Sequence, residues 1–144
     1  MIIRKADPND ALKLARLSLK LWPEHIQEEM SGEFETLLSD DNTAIFLAVD
    51  EATVGFAQCQ LRYDYVEGTQ SSPVGYLEGI FVEESFRNRG CARQLVAACE
   101  SWAREKGCSE FASDCELDNR ASLAFHLNLG FREANRIICF TKKL

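Results

Sequence analysis

The run Phe81-Val82-Glu83-Glu84-Ser85-Phe86-Arg87-Asn88-Arg89-Gly90-Cys91-Ala92 carries chemistry in its residue types and their order. An apolar segment feeds a short loop, and the loop ends on the first turn of a helix. At such a terminus the first backbone N–H groups lack carbonyl partners, and the helix dipole adds partial positive charge. Gly90 lets the backbone approach closely, Ala92 keeps the first turn small, and Arg87, Arg89 and Arg93 concentrate positive charge. That combination suits an anion, a phosphate above all. The same residues also fit a capped surface helix whose arginines only face water. Arg-x-x-Gly-x-Ala is neither Gly-x-Gly-x-x-Gly nor a P-loop, so the flanking elements must decide.

The remaining chemistry is sparse. Cys59, Cys91, Cys99, Cys108, Cys115 and Cys139 form no Cys-x-x-Cys pair, and His25 and His126 stand alone, so no metal site is expected. Sixteen Lys+Arg against 23 Asp+Glu give a net charge of −7. Duplex DNA and anionic membranes need concentrated positive charge, so neither a nucleic acid nor a membrane is expected as main partner. A polycationic partner is permitted. The N-terminus has no apolar stretch fit for a signal peptide, and no segment approaches the ~18 apolar residues of a span. These features point to the cytoplasm, with reduced thiols serving as small core residues.

The elements that must hold these residues can be read from spacing. The chain has 144 residues, of which 46% are hydrophobic, and reads as one domain over residues 1–144. Ile2–Lys5 reads as a strand, and Asp7-Pro8-Asn9-Asp10 as the start of a helix running to about Leu21. Pro23 breaks it, and a second helix is expected from about Glu24 to Leu38. Ala44–Val49 and Val54–Tyr63 read as a hairpin across Asp50–Thr53. Asp64–Pro73 is a loop. Val74–Val82 is a strand interrupted by Glu78 and Gly79, and a glycine there marks a bulge or a close approach. Gly90–Lys106 is the clearest helix, with Gly107 as its C-cap. Glu110–Asp114 is a short strand. Asn119–Leu129 fits either strand alternation or a helix; Asn119 as cap and Gly130 as stop favour the helix. Phe131–Glu133 and Arg136–Lys142 read as closing strands. The order predicts an α/β fold, a mixed and mostly antiparallel sheet with helices on its faces.

With these elements in place, the chain resembles the GCN5-related N-acetyltransferase family. The strand-loop-helix of Val74–Ala92 carries the resemblance, together with Asn119-x-x-Ser122-x-x-Phe125-His126-x-x-Leu129-Gly130-Phe131. The resemblance implies acetyl-CoA as co-substrate, with Ile80, Phe81 and Val82 at the pantetheine and acetyl group. It implies Arg87, Asn88, Arg89, Gly90, Cys91, Ala92 and Arg93 around the pyrophosphate, and Asn119 near the thiol arm. Family members often have Tyr at the position of His126, where it can protonate the departing thiolate. His126 is therefore either that acid or a structural residue.

Acyl transfer to an amine needs a neutral amine, a positioned carbonyl and a place for the proton. Glu78 lies two residues before Ile80 in an apolar strand, where an acid is costly unless solvated or paired. It is either the proton acceptor or a strand-edge residue facing water. Asp114 ends the next strand with Glu116 and Asp118 in the loop after it, Trp22 and His25 lie at the break between the first helices, and Tyr65 is in the loop before the Glu78 strand. Carboxylates and aromatic faces together suit a sugar with several ammonium groups.

A closer resemblance, to aminoglycoside 6′-N-acetyltransferases, rests on Leu21-Trp22-Pro23, Asp64-Tyr65-Val66-Glu67-Gly68, Ser72-Pro73-Val74, Leu77–Val82 and Ala112-Ser113-Asp114. It implies an antibiotic held by Trp22, Tyr65, Glu78 and Asp114, and direct transfer with Glu78 as base. The subfamily often has an acid at the position of Asn135, so one ammonium contact is expected to be weaker here. Its members are often dimeric, which implies a homodimer joined through Arg136–Lys142. The rival readings are an acetyltransferase for a polyamine or protein amine, and a non-catalytic acetyl-CoA sensor.

Overall fold

A computed structural model describes all 144 residues. Ile2–Lys5 forms β1, and Asp7 caps the turn that follows: its side chain accepts from Asn9 N, while Asp10 accepts from the Asp7 N–H. Helices α1 (Ala11–Ser18) and α2 (Gln27–Leu38) come next. The first ends earlier than Leu21 and the second begins later than Glu24. The intervening Leu19–Ile26 is a string of turns around Trp22 and Pro23, because proline lacks the N–H that would continue a helix.

Strands β2 (Thr43–Asp50), β3 (Ala52–Arg62) and β4 (Val74–Val82) are antiparallel neighbours. The first hairpin is tighter than Asp50–Thr53, since Asp50 pairs with Ala52 and Glu51 alone turns the chain, at φ 63°. Helix α3 (Cys91–Glu105), strand β5 (Phe111–Ala112) and helix α4 (Arg120–Asn128) follow. Asn119 caps α4 by accepting from Ser122 N, which settles its ambiguous alternation in favour of helix. The sheet order is β1-β2-β3-β4-β5, antiparallel except for the parallel β4–β5 pair.

Each face of the sheet has its own core. Helices α1 and α2 bury Leu14, Met30 and Phe34 against Ile45, Leu47 and Phe56. On the other face α3 buries Leu95, Val96 and Trp102 against Ala57, Cys59 and Leu77. Cys59, Cys91, Cys99 and Cys108 are small core residues as expected, but Cys115 and Cys139 are exposed. No helix is long and apolar enough to cross a membrane.

The closing strands are the largest departure. Residues 131–144 form none. A strand exists only through a neighbouring ladder, and β5, two residues long, offers almost no edge to pair with. Ile137, Ile138 and Phe140 therefore stand in solvent, 63%, 79% and 87% exposed.

Candidate active site

The sheet opens between β4 and β5. Pairing is confined to Gly75 with Phe111 and Tyr76 with Ala112, so the edge of Glu78–Val82 on that side has no strand partner. Ile80, Phe81 and Val82 lie along this open edge. An extended ligand can complete such a ladder with its own amides. Below the opening stands the N-terminus of α3, whose N-cap Gly90 adopts φ 79° and supplies no side-chain cap. That left-handed conformation suits glycine and leaves the first N–H groups of the helix free for an anion.

The arginines divide their work. Arg87 donates from Nε to the Val82 carbonyl at 2.9 Å and leans over Phe81, while Arg89 lies over Phe86. Arg93 donates to the Asn128 carbonyl at 2.8 Å, tying α3 to the end of α4. Arg93 is thus a clamp between helices in this structure, because the carbonyls at the end of α4 need donors. Asn88 holds the loop at φ 62°. Cys91 is buried and Ala92 partly so; burial pushes the Cys91 thiol above its usual range, which makes it a packing residue and no nucleophile.

At the fork itself sit Ser113 and His126. His126 Nε2 is 2.8 Å from Ser113 Oγ, and Nδ1 is 2.7 Å from the Ser122 carbonyl. Ser113 Oγ is also 3.2 Å from the Leu77 carbonyl. A carbonyl only accepts, so Nδ1 carries a hydrogen toward Ser122. Ser113 has one hydroxyl hydrogen for two claimants. Asn119 stands at the head of α4, its side chain already engaged as the cap.

Glu78 is the extra residue of a bulge. Gln58 pairs with Gly79 and Cys59 with Leu77, leaving Glu78 without a partner on β3. A bulge bends its strand and re-aims the side chain. Here Glu78 points at Arg62, the last residue of β3, which grips both its oxygens at 2.7 and 2.9 Å. The Arg62 guanidinium lies 3.4 Å from the centre of the Tyr76 ring, and the Tyr76 hydroxyl donates to Asp114. Glu78, Arg62, Tyr76 and Asp114 form one linked cluster. Burial opposes the Arg62 charge, but its hydrogen bonds to Glu78 and that carboxylate's charge outweigh it and raise its pKa. Burial, then the Asp114 hydrogen bond, raises the Tyr76 hydroxyl above its ordinary range, so it stays a donor.

Arg62 and Tyr76 were not legible as site residues. Tyr76 reads as one more aromatic in an apolar strand and Arg62 as a polar strand end. The hairpin register was the signal that could have found them: Arg62 pairs with Val74, one turn of the pleat from Tyr76.

The flanking residues are grouped more loosely. Trp22 covers Gly79 and stacks on His25, with ring centres 6.0 Å apart. His25 Nδ1 lies 3.0 Å from Met30 Sδ. A cavity of about 150 Å³ opens beside them, lined also by Glu33, Phe34 and Gln58. Tyr65 stands on its loop, 76% exposed, sharing no ring contact or hydrogen bond with the Glu78 cluster. Asn135 donates to Glu67 at 2.8 Å, which brings the start of the C-terminal segment to that loop. Glu116 and Asp118 are exposed beyond Asp114.

Against known proteins, residues 11–131 match the acetyltransferase (GNAT) family. The aminoglycoside N(6′)-acetyltransferase type 1 of Stenotrophomonas maltophilia is 43% identical over 99% of this chain and 93% of its own length. The protein of the same name from Salmonella typhimurium strain LT2 is 45% identical over 88% of each chain. Among solved structures, AAC(6′)-Iy in complex with the bisubstrate analogue CoA-S-monomethyl-acetylneamine superposes with TM-score 0.94. It is 41% identical, covering 99% of this chain and 98% of that one. The antibiotic 6′-N-acetyltransferase AAC(6′)-Ih from Acinetobacter baumannii gives TM-score 0.93 at 36% identity, with 99% and 98% covered.

Proposed function

The chain belongs to the acetyltransferase (GNAT) family, and from that footing we propose that it acetylates the 6′-amine of aminoglycosides from acetyl-CoA by direct transfer, conferring resistance. The observation that carries this reading is the acidic cluster of Glu78 and Asp114, set beside the open edge of β4, with Trp22 packed on the neighbouring Gly79. Acid and aromatic surface for a polyammonium sugar adjoin an edge and a helix terminus suited to the co-substrate.

Acetyl-CoA supplies an activated acetyl thioester when bound. The unpartnered edge of Ile80–Val82 and the uncapped N-terminus at Gly90 fit its amide-bearing arm and its pyrophosphate. Arg87, Asn88 and Arg89 rim that terminus. On the acceptor side Trp22 gives an aromatic face, and Asp114 attracts ammonium groups. Glu78 takes the amine proton through water. A backbone N–H near Ile80 polarises the acetyl carbonyl, a contribution of about 3 kcal/mol for one such donor. His126, coupled to Ser113 at the fork, returns a proton to the departing sulfur. His25, Tyr65 and Asn135 line the outer acceptor surface.

In the assembled enzyme the C-terminal segment packs on a second copy of the chain as a homodimer. Its exposed Ile137, Ile138 and Phe140 support that reading, since apolar side chains gathered on one segment favour a covering partner.

Thiol release from acetyl-CoA with neomycin, paromomycin, spermidine and a lysine peptide tests the assignment. Neomycin carries an amine at 6′ where paromomycin carries a hydroxyl. Rapid release with neomycin and little with the other three is expected. Equal turnover of neomycin and paromomycin would overturn it.

A further inference from the structure

The acceptor site contains a cation of its own. Arg62 holds both oxygens of Glu78 and lies flat over Tyr76, which in turn satisfies Asp114. A carboxylate gripped by a guanidinium fork is a poor proton acceptor, and the fork occupies the acceptor positions on both oxygens that face it. The pair is nevertheless reachable, with the Arg62 side chain 39% exposed and Glu78 18%. Partial solvation keeps the bond exchangeable, unlike a fully buried ion pair, whose separation strands a charge in the interior.

We propose that Arg62 is the resident counter-ion of Glu78 and yields it to an ammonium group of the acceptor, so that the base is released only when a cationic substrate arrives. The inference rests on the aminoglycoside reading and assigns Arg62 as a specificity-determining residue within it. Before substrate arrives, Arg62 shields Glu78 and keeps the cluster from standing as bare negative charge. With substrate bound, the ammonium replaces the guanidinium at Glu78. Arg62 then remains stacked on Tyr76, whose ring contact does not depend on Glu78.

The other groups facing the pair are few. Tyr76 comes from β4 and Asp114 from beyond β5. From the turns before α2, Trp22 covers the neighbouring Gly79, with His25 stacked behind it. His126 is linked through Ser113 to the carbonyl of Leu77, one residue from Glu78. Of these charged and titratable groups, Arg62 alone touches the Glu78 oxygens.

Arg62→Met keeps an apolar stem over Tyr76 and removes the competitor, and Arg62→Lys keeps the charge but loses the fork. Initial rates over a range of neomycin concentrations compare both with the unmodified enzyme, after a thermal melt confirms folding. For Arg62→Met the neomycin KM should fall roughly threefold to tenfold, the scale of a partly exposed ion pair. The kcat should change less than KM, because in the bound complex the ammonium has already taken the place of the guanidinium at Glu78. Arg62→Lys should fall between and carries the test if the methionine variant does not fold. A raised KM, or a loss confined to kcat in a folded variant, would show Arg62 to be a structural brace and overturn the proposal. Failure of the unmodified enzyme to acetylate neomycin would instead overturn the underlying reading.

Discussion

The Trp22 indole occupies the space that a side chain on residue 79 would need. A Cβ built on Gly79 would stand 3.0 and 3.1 Å from two indole carbons, tighter than ordinary contact. The glycine beside the bulge therefore seats the Trp22 indole on β4. Gly79→Ala should push Trp22 off the strand, raising the neomycin KM roughly tenfold or more, the cost of about 1.4 kcal/mol. Acetyl-CoA affinity, measured calorimetrically, should change less than threefold, because the open edge beyond Ile80 is untouched. Equal losses for both ligands would mean that the strand itself had been distorted.

Glu78→Gln tests the proton route directly. The amide fills the same volume and can still accept from Arg62, but it cannot take the amine proton at neutral pH. Removing a general base typically lowers kcat by about 10²–10⁴-fold. A loss of that order, with acetyl-CoA binding retained, is expected in single-turnover assays. Wild-type turnover would remove Glu78 from the chemistry.

What was readable in advance follows the range of the interactions. The Gly90 terminus, the Asn119 cap and the Asp7 capping turn rest on neighbours within four positions, so residue type and spacing reveal them. Gly79 inside an apolar strand announced an irregularity, and the register shows that the bulge falls on Glu78. Arg62 lay out of reach because its partner is sixteen positions away, joined only through the hairpin pairing. The Arg93 contact was hidden for the opposite reason. A charge near a helix start says nothing of where a long side chain travels, and this one reaches Asn128.

Asp10 links β1 to the start of α1 and supplies a pH-dependent part of the stability. Arg4 grips both its oxygens at 2.8 and 2.9 Å, and the Asp7 N–H donates to it at 2.9 Å. The Arg4 hydrogen bonds, against the opposing effect of burial, hold its carboxyl down at about 2. A depressed pKa stabilises the folded state above the unfolded value of about 3.9, and the contribution disappears as pH falls from there through about 2. With Arg4 40% exposed to screening solvent, the contribution is roughly 1–2 kcal/mol. Asp10→Asn should lower the melting temperature by roughly 3–6 °C at pH 7, and the difference should shrink steadily as pH falls below about 4. A gap of undiminished size at about pH 2 would assign the effect to packing instead of charge.

The C-terminal segment sets the last expectation. Gly68 and Ala134 pack so closely that a Cβ on Gly68 would collide with the Ala134 methyl, and Asn135 is fastened to Glu67. The chain is thus anchored up to residue 135 and carries its apolar residues outward beyond it. Covering Ile137, Ile138 and Phe140 gains about 25 cal/mol for each Å² of apolar surface removed from water, which favours association over exposure. The protein should sediment at twice its chain mass of 16.3 kDa. The double variant Ile138→Glu, Phe140→Glu should sediment at the single-chain mass, since two carboxylates cannot enter an apolar interface unpaired. A wild-type protein that sediments as a single chain at micromolar concentration would refute the dimer.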